Sequence, residues 1–134
     1  MKIIVDSNIL FSFFWRQSVV KRILFLEAFT FLSPAYALKE INKYQDEIEQ
    51  KAKITHWQFD EQLKILKELV VFVDDDEYNK NYKEALEISP DSNDVDFFAL
   101  SLHENAPLWS NYGDLKKQNA IKVFSTKEMI ELVG

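Results

Sequence analysis

Short runs of β-branched and aromatic residues recur at 2–5, 29–32, 70–73, 107–109 and 121–124, and between them apolar residues return every three or four positions. The first pattern is that of strands buried on both faces, the second that of helices with one buried stripe. Their alternation predicts an α/β fold, a parallel sheet covered by helices. Residues 10–28 carry helical spacing that breaks near Trp15 and Arg16, which predicts two short helices. Ser33 then offers an N-cap with Pro34 at the first helical position, and Ala37, Ile41, Tyr44 and Ile48 form the buried stripe of a helix running to about Lys51. Residues 55–68 repeat the pattern through Phe59, Leu63 and Leu66. Asp74-Asp75-Asp76-Glu77 begins an acidic helical stretch that reaches about Glu87. Pro90-Asp91 opens a further helix with Val95, Phe98, Ala99 and Leu102 on its core face, and the last helix follows Ser125. No internal repeat, low-complexity tract or Gly/Ser linker divides the chain, so residues 1–134 read as a single domain.

Composition narrows the chemistry. At 134 residues and 47% hydrophobic content the chain can bury most of its apolar surface unaided. It holds no cysteine, which excludes disulfides and thiolate metal sites and fits a reducing cytoplasm. Any metal must therefore find oxygen ligands, with histidine a minor option. Asp6 and Arg16 interrupt the N-terminal apolar run, which argues against a signal peptide or a membrane span and leaves a soluble cytoplasmic protein as the expectation. A net charge of −6 argues against a nonspecific nucleic-acid coat but permits a phosphodiester substrate met through bound cations. Eleven Phe, three Trp and five Tyr exceed the needs of a small core, which suggests a homodimer with an aromatic interface.

Carboxylates supply the candidate site. Asp6 ends the first strand, and in open α/β sheets the carboxyl ends of parallel strands face the ligand crevice. Asp6, Ser7 and Asn8 are equally suited to capping the helix that follows. Glu40 lies in the early turns of the third helix, Asp94 falls in the first turn of the Pro90 helix, and Asp114 follows the fourth strand. All four belong to one end of the sheet. Like charges gathered there raise one another's pKa, so such a cluster is expected to hold Mg2+ or Mn2+. Individually, Glu40 also suits a solvated helix face, Asp91 and Asp94 a cap with its helix-dipole partner, and Asp74 to Glu77 a solvated helix start. His56 and His103 have no partner at ligand spacing and read as structural. Phe11, Phe13, Phe14 and Trp15 fit core or dimer surface better than a base-stacking platform.

The segments IIVDSNIL, SPAYALKEI, PDSNDVDFFALSL and LWSNYGDLKK, in this order and spacing, resemble those of PIN domains over nearly the whole chain. The resemblance implies a three-layer α/β/α sandwich on a five-stranded parallel sheet. It implies a metal-dependent endoribonuclease whose catalytic and metal-binding carboxylates correspond to Asp6, Glu40 and Asp94, with Asn8 and Ser110 as supporting polar positions. Many relatives are toxins paired with an antitoxin protein, often as dimers. The chain departs from the pattern at Tyr112, where the family commonly carries an acidic residue directly after the Ser/Thr-Asn pair. Asp114 matches a second, less constant acidic position, and Gly113 offers the backbone freedom to bring it inward as a fourth ligand. The resulting reading is a Mg2+/Mn2+-dependent nuclease acting on single-stranded RNA, with Lys39, Lys43, Lys116 and Lys117 as candidates for contacting flanking phosphates.

Three rivals remain. A PIN-like binding module with weakened catalysis would carry Tyr112 as its lesion. A receiver-type phosphoacceptor would use Asp74 after one strand and Lys127 after another. A haloacid-dehalogenase-like phosphatase is the weakest, because its nucleophile motif wants a second aspartate where this chain has Asn8.

Overall fold

The computed structural model describes residues 1–134. Five strands, β1 (Lys2–Val5), β2 (Thr30–Pro34), β3 (Val70–Val73), β4 (Leu108–Trp109) and β5 (Val123–Phe124), form one sheet in the order β3-β2-β1-β4-β5. Every pairing is parallel. In the central strand β1, Ile3, Ile4 and Val5 are completely buried. Val5 stands in register with Trp109, so the residues that follow β1 and β4 emerge side by side. The sheet carries helices on its faces as a three-layer α/β/α sandwich, as the alternating pattern requires.

Nine α-helices connect and cover the strands: α1 (Ser7–Ser12), α2 (Val19–Leu24), α3 (Ala35–Lys43), α4 (Gln45–Ala52), α5 (His56–Leu69), α6 (Asp75–Tyr78), α7 (Tyr82–Ile88), α8 (Val95–Glu104) and α9 (Thr126–Val133). Two are fixed by capping boxes. The Thr55 hydroxyl accepts from the Gln58 N–H at 3.0 Å while the Gln58 side chain accepts from the Thr55 N–H at 2.8 Å. Ser125 and Glu128 do the same for α9. The break expected near Trp15 separates α1 from α2. No helix is long and apolar enough to cross a membrane.

Several local expectations are corrected. Ser33 is not a cap: β2 runs on through Pro34, and the buried Ser33 hydroxyl donates to the Val5 carbonyl at 2.7 Å. Tethering β2 to β1 satisfies a polar group that the pattern assigned to a helix start. The helix through Lys51 is two helices, divided at Tyr44 (φ −100°, ψ 19°), whose ring leaves the buried stripe. Pro90-Asp91 opens a 3-10 turn (Ser92–Asp94), with the Asp91 carboxylate accepting from the Asn93 N–H at 2.9 Å. Helix α8 starts only at Val95, which makes Asp94 its N-cap residue and not a member of its first turn. Phe97, Leu100 and Ser101 are buried on α8 together with Val95, Phe98 and Ala99, because the helix is enclosed by the sheet on one side and by α6 and α7 on the other.

The strand order also removes one rival. Receiver-type sheets run 2-1-3-4-5, with the site at a different switch point. Here β3 and β5 are opposite edges, so Asp74 after β3 and Lys127 after β5 are separated by the width of the sheet.

Candidate active site

The chain reverses from β1 into α1 at Asp6, and the reversal buries a carboxylate. Asp6 donates its N–H to the Trp109 carbonyl at 3.0 Å, continuing the strand pairing, and then takes an extended cap geometry (φ −72°, ψ 153°). One carboxylate oxygen accepts from the Ser7 N–H at 2.8 Å and the other from the Ser110 hydroxyl at 2.6 Å. Asp6 is thus both helix cap and crevice carboxylate; the two readings of the sequence describe one residue. Ser110 arrives because β4 ends beside β1. The Ser7 hydroxyl, in turn, donates to Glu40 at 2.7 Å, which ties the first residue of α1 to the acid on α3. Sequence reasoning took Ser7 only for a cap candidate, and nothing local marks a serine that reaches another helix.

Asp6, Glu40 and Asp94 line one cleft of about 330 Å³, together with Ser7, Asn8 and Asn93. Its remaining walls are aromatic: Tyr36, Tyr44, Tyr112 and Phe97. Tyr112 falls where the family pattern puts an acidic site residue, whereas the sequence gives no sign of Tyr36 or Tyr44 at the site. Tyr36 lies in the first turn of α3 and Tyr44 at the break that ends it.

Burial pushes the Asp6 carboxyl above the usual range, and the nearby charge of Glu40 adds to this, against the Ser110 and Ser7 hydrogen bonds that pull it back. Asp94 is pushed up to about 6, first by burial and then by the charges of Asp6, Asp91 and Glu40. No ion pair in the molecule involves any of the three. No Lys or Arg lines the cleft. An uncompensated set of hard oxygen donors fits a hard divalent cation. The three carboxylates do not close into a complete cage of side chains.

Asp114 does not join them. Its carboxylate accepts from the Tyr112 hydroxyl at 2.9 Å and pairs with Lys117 at 3.0 Å, and the 3-10 turn Gly113–Lys117 carries it away from the cleft lining. No glycine adopts a positive φ, so the inward route through Gly113 is not taken. Convergence of four carboxylates is corrected to three. Tyr112 stands on the cleft wall, 41% exposed, with its N–H donating to the Ser110 hydroxyl at 3.1 Å.

The lysines divide similarly. Lys116 pairs with Glu128 and Lys117 with Asp114, so neither stands free for phosphate. Lys39 shares a small cavity with Tyr36, and Lys43 lies over the Tyr44 ring at 5.4 Å, both beside the cleft. His56 bonds to Glu49 and His103 lies near Glu104, outside the cleft.

Comparison with known proteins agrees with this fold. The structure is similar to VapBC2 from Rickettsia felis, solved bound to a DNA fragment from its promoter, with a TM-score of 0.66 and 18% identity over 93% of this chain and 98% of that one. No curated protein sequence matches the chain. The family description "PIN domain" matches residues 4–131, nearly the whole length, and PIN domains are generally nucleases. The chain belongs to the PIN domain family.

Proposed function

We propose that the chain is a divalent-metal-dependent endoribonuclease that hydrolyses single-stranded RNA. The observation that carries this reading is the meeting of Asp6, Glu40 and Asp94 in one polar cleft without a cationic partner. These three would hold Mg2+ or Mn2+, in part through water, and the cation supplies a Lewis acid for a phosphate oxygen and a lowered pKa for an attacking water. Ser110 and the Ser7 N–H hold the Asp6 carboxylate in one orientation, and the Ser7 hydroxyl does so for Glu40. Asn8, exposed on the rim, can donate to substrate oxygen, and Lys39 and Lys43 can meet flanking phosphates.

The same reading includes an antitoxin protein as partner, supported by the family and by the likeness of fold to VapBC2. It includes a cytoplasmic homodimer. Val19, Phe25 and Leu26 on and after α2, and Ile130, Leu132 and Val133 on α9, are exposed apolar residues on two elements that touch, and sedimentation should give twice the 15.8 kDa chain mass. A second reading, a module that binds RNA but barely cuts it, is favoured by the Tyr112 ring on the cleft wall.

Cleavage of single-stranded RNA with Mn2+ tests the proposal. Asp6→Asn should lower the rate more than about 100-fold, beyond what outer partners of a metal site cost, and should abolish the Mn2+-induced rise in melting temperature. Equal melting shifts in wild type and variant would remove Asp6 from a metal site. A wild type that binds Mn2+ and RNA without cutting selects the binding module.

A further inference from the structure

The aromatic cluster after β1 is divided by the fold. Phe13 and Phe14 enter the core, where Phe14 stacks on Phe59 at 4.9 Å. Phe11 and Trp15 turn instead toward Tyr44, and with Ile48, Glu47 and Lys51 they line a groove of about 370 Å³. Asn8 and Tyr44 belong both to this groove and to the carboxylate cleft, so the two are continuous. Phe11 meets Tyr44 edge to face at 6.1 Å, while Tyr44 is 38% and Trp15 37% exposed. Exposed aromatic faces beside a polar cleft remain unexplained by packing.

Charge points to the occupant. A protein that grips RNA through phosphates presents a basic surface. Here the net charge is −6, no Lys or Arg lines the cleft, and the groove's one cation, Lys51, is paired with Glu47 at 3.0 Å. Lys39 and Lys43 beside the cleft can meet only a few phosphates, so affinity for a single strand needs a contribution from unpaired bases, whose stacking on aromatic side chains is sequence-tolerant. The groove volume lies in the range of small-ligand sites, enough for one planar base.

We propose that this groove is a base-stacking subsite, in which a nucleobase of the strand whose phosphate lies in the carboxylate cleft stacks on Trp15 and Tyr44. The inference rests on the ribonuclease reading above and deepens it. Single-turnover cleavage of a short single-stranded RNA with Mn2+ should show Trp15→Ala and Tyr44→Leu each raising the half-saturating concentration about tenfold, with a much smaller loss of maximum rate. Trp57→Ala, an exposed tryptophan outside both the cleft and the groove, serves as the control. In Trp57→Phe protein, Trp15 is the one exposed tryptophan, since Trp109 is fully buried, and RNA should quench its fluorescence. Log affinity against log salt should have a slope shallower than about −2, as few phosphates are neutralised.

Half-saturation in Trp15→Ala and Tyr44→Leu equal to the control, unquenched Trp15 fluorescence, or a steeper slope would each overturn the subsite. The first outcome is also what a groove reserved for a protein partner's side chain would give. A wild type that cuts RNA while the variants match it removes the subsite alone. A wild type that neither binds nor cuts RNA removes the ribonuclease reading with it.

Discussion

Asp94 in the cleft and Asp114 on the loop after β4 are the same residue type under opposite conditions. Asp94 is partly buried among Asp6, Asp91 and Glu40, and its pKa climbs to about 6. Asp114 lies at the surface against the Lys117 ammonium and the Tyr112 hydroxyl, which hold its carboxyl below the usual range. Glu128, beside Lys116, is drawn down to about 2. The surface acids are locally neutralised and satisfied within the chain. Cleft acids repel one another and have no counter-charge, a cost to stability that folding alone does not explain. A carboxylate's environment, not its presence near the sheet end, separates the candidate site from the ordinary surface.

The sharpest test of that contrast is Ser110→Ala. Its hydroxyl is the strongest influence keeping Asp6 charged, and it also receives the Tyr112 N–H. Calorimetric titration should show Mn2+ affinity falling about 10–100-fold while the fold persists, as for outer partners of metal ligands. Unchanged affinity would mean that Asp6 needs no preorganisation. Next in size is Tyr112→Asp, which returns an acid to the cleft wall. Tyr112 is 41% exposed, so the variant should remain folded and bind Mn2+ about tenfold more tightly, since affinity for hard cations rises with ligand charge. No gain would put position 112 out of reach of the cation.

What the sequence displayed of this contrast follows from range. Strand runs and helix stripes are local patterns, and all five strands were legible from them, with the sheet's parallel direction. Asp6 was visible because a polar residue ends an apolar strand. Glu40 and Asp94 stand out because the helical patterns that carry them begin at the same end of the sheet as Asp6. Ser7 and Ser110 act on residues 33 and 104 positions away, and no periodicity encodes such a bond. Asp114 looked equivalent to Asp94 in the sequence because both follow the same topological rule. Its capture by Lys117 and Tyr112 depends on side-chain directions in a 3-10 turn. The kink at Tyr44, which turns a stripe residue into a cleft wall, likewise leaves no mark in composition.

A smaller effect concerns stability without metal. Asp94 is raised from 3.8 to about 6, so the folded chain binds this proton more tightly than the unfolded chain does. The sign follows: the contribution is stabilising below about pH 4, where the unfolded group is also protonated, and is lost as pH rises through about 6. In metal-free protein at pH 7, Asp94→Asn should therefore melt a few degrees higher than wild type. The gain is about 1 kcal/mol once solvent screening of this half-exposed group is discounted. Melting curves from pH 4 to 7 should show the two proteins converging at the acid end, while saturating Mn2+ should favour wild type. A variant less stable than wild type at pH 7 would mean that Asp94 is chiefly a helix cap.

The smallest effect is expected of Asp114→Asn. Its carboxylate is paired with Lys117 at 3.0 Å and with the Tyr112 hydroxyl at 2.9 Å, in solvent that screens the charge. Its lowered pKa places any contribution at neutral pH and removes it as pH falls, the reverse of Asp94. An exposed pair of this kind leaves the melting temperature unchanged within error. Mn2+ affinity and cleavage rate should also equal those of wild type, because Asp114 is not among the cleft residues. Tyr112→Phe removes the other hydrogen bond and should be equally silent. Were Asp114→Asn to weaken Mn2+ binding while Tyr112→Phe strengthened it, the tyrosine hydroxyl would be holding back a fourth ligand. The boundary between surface acid and cleft acid would then be set by one hydrogen bond.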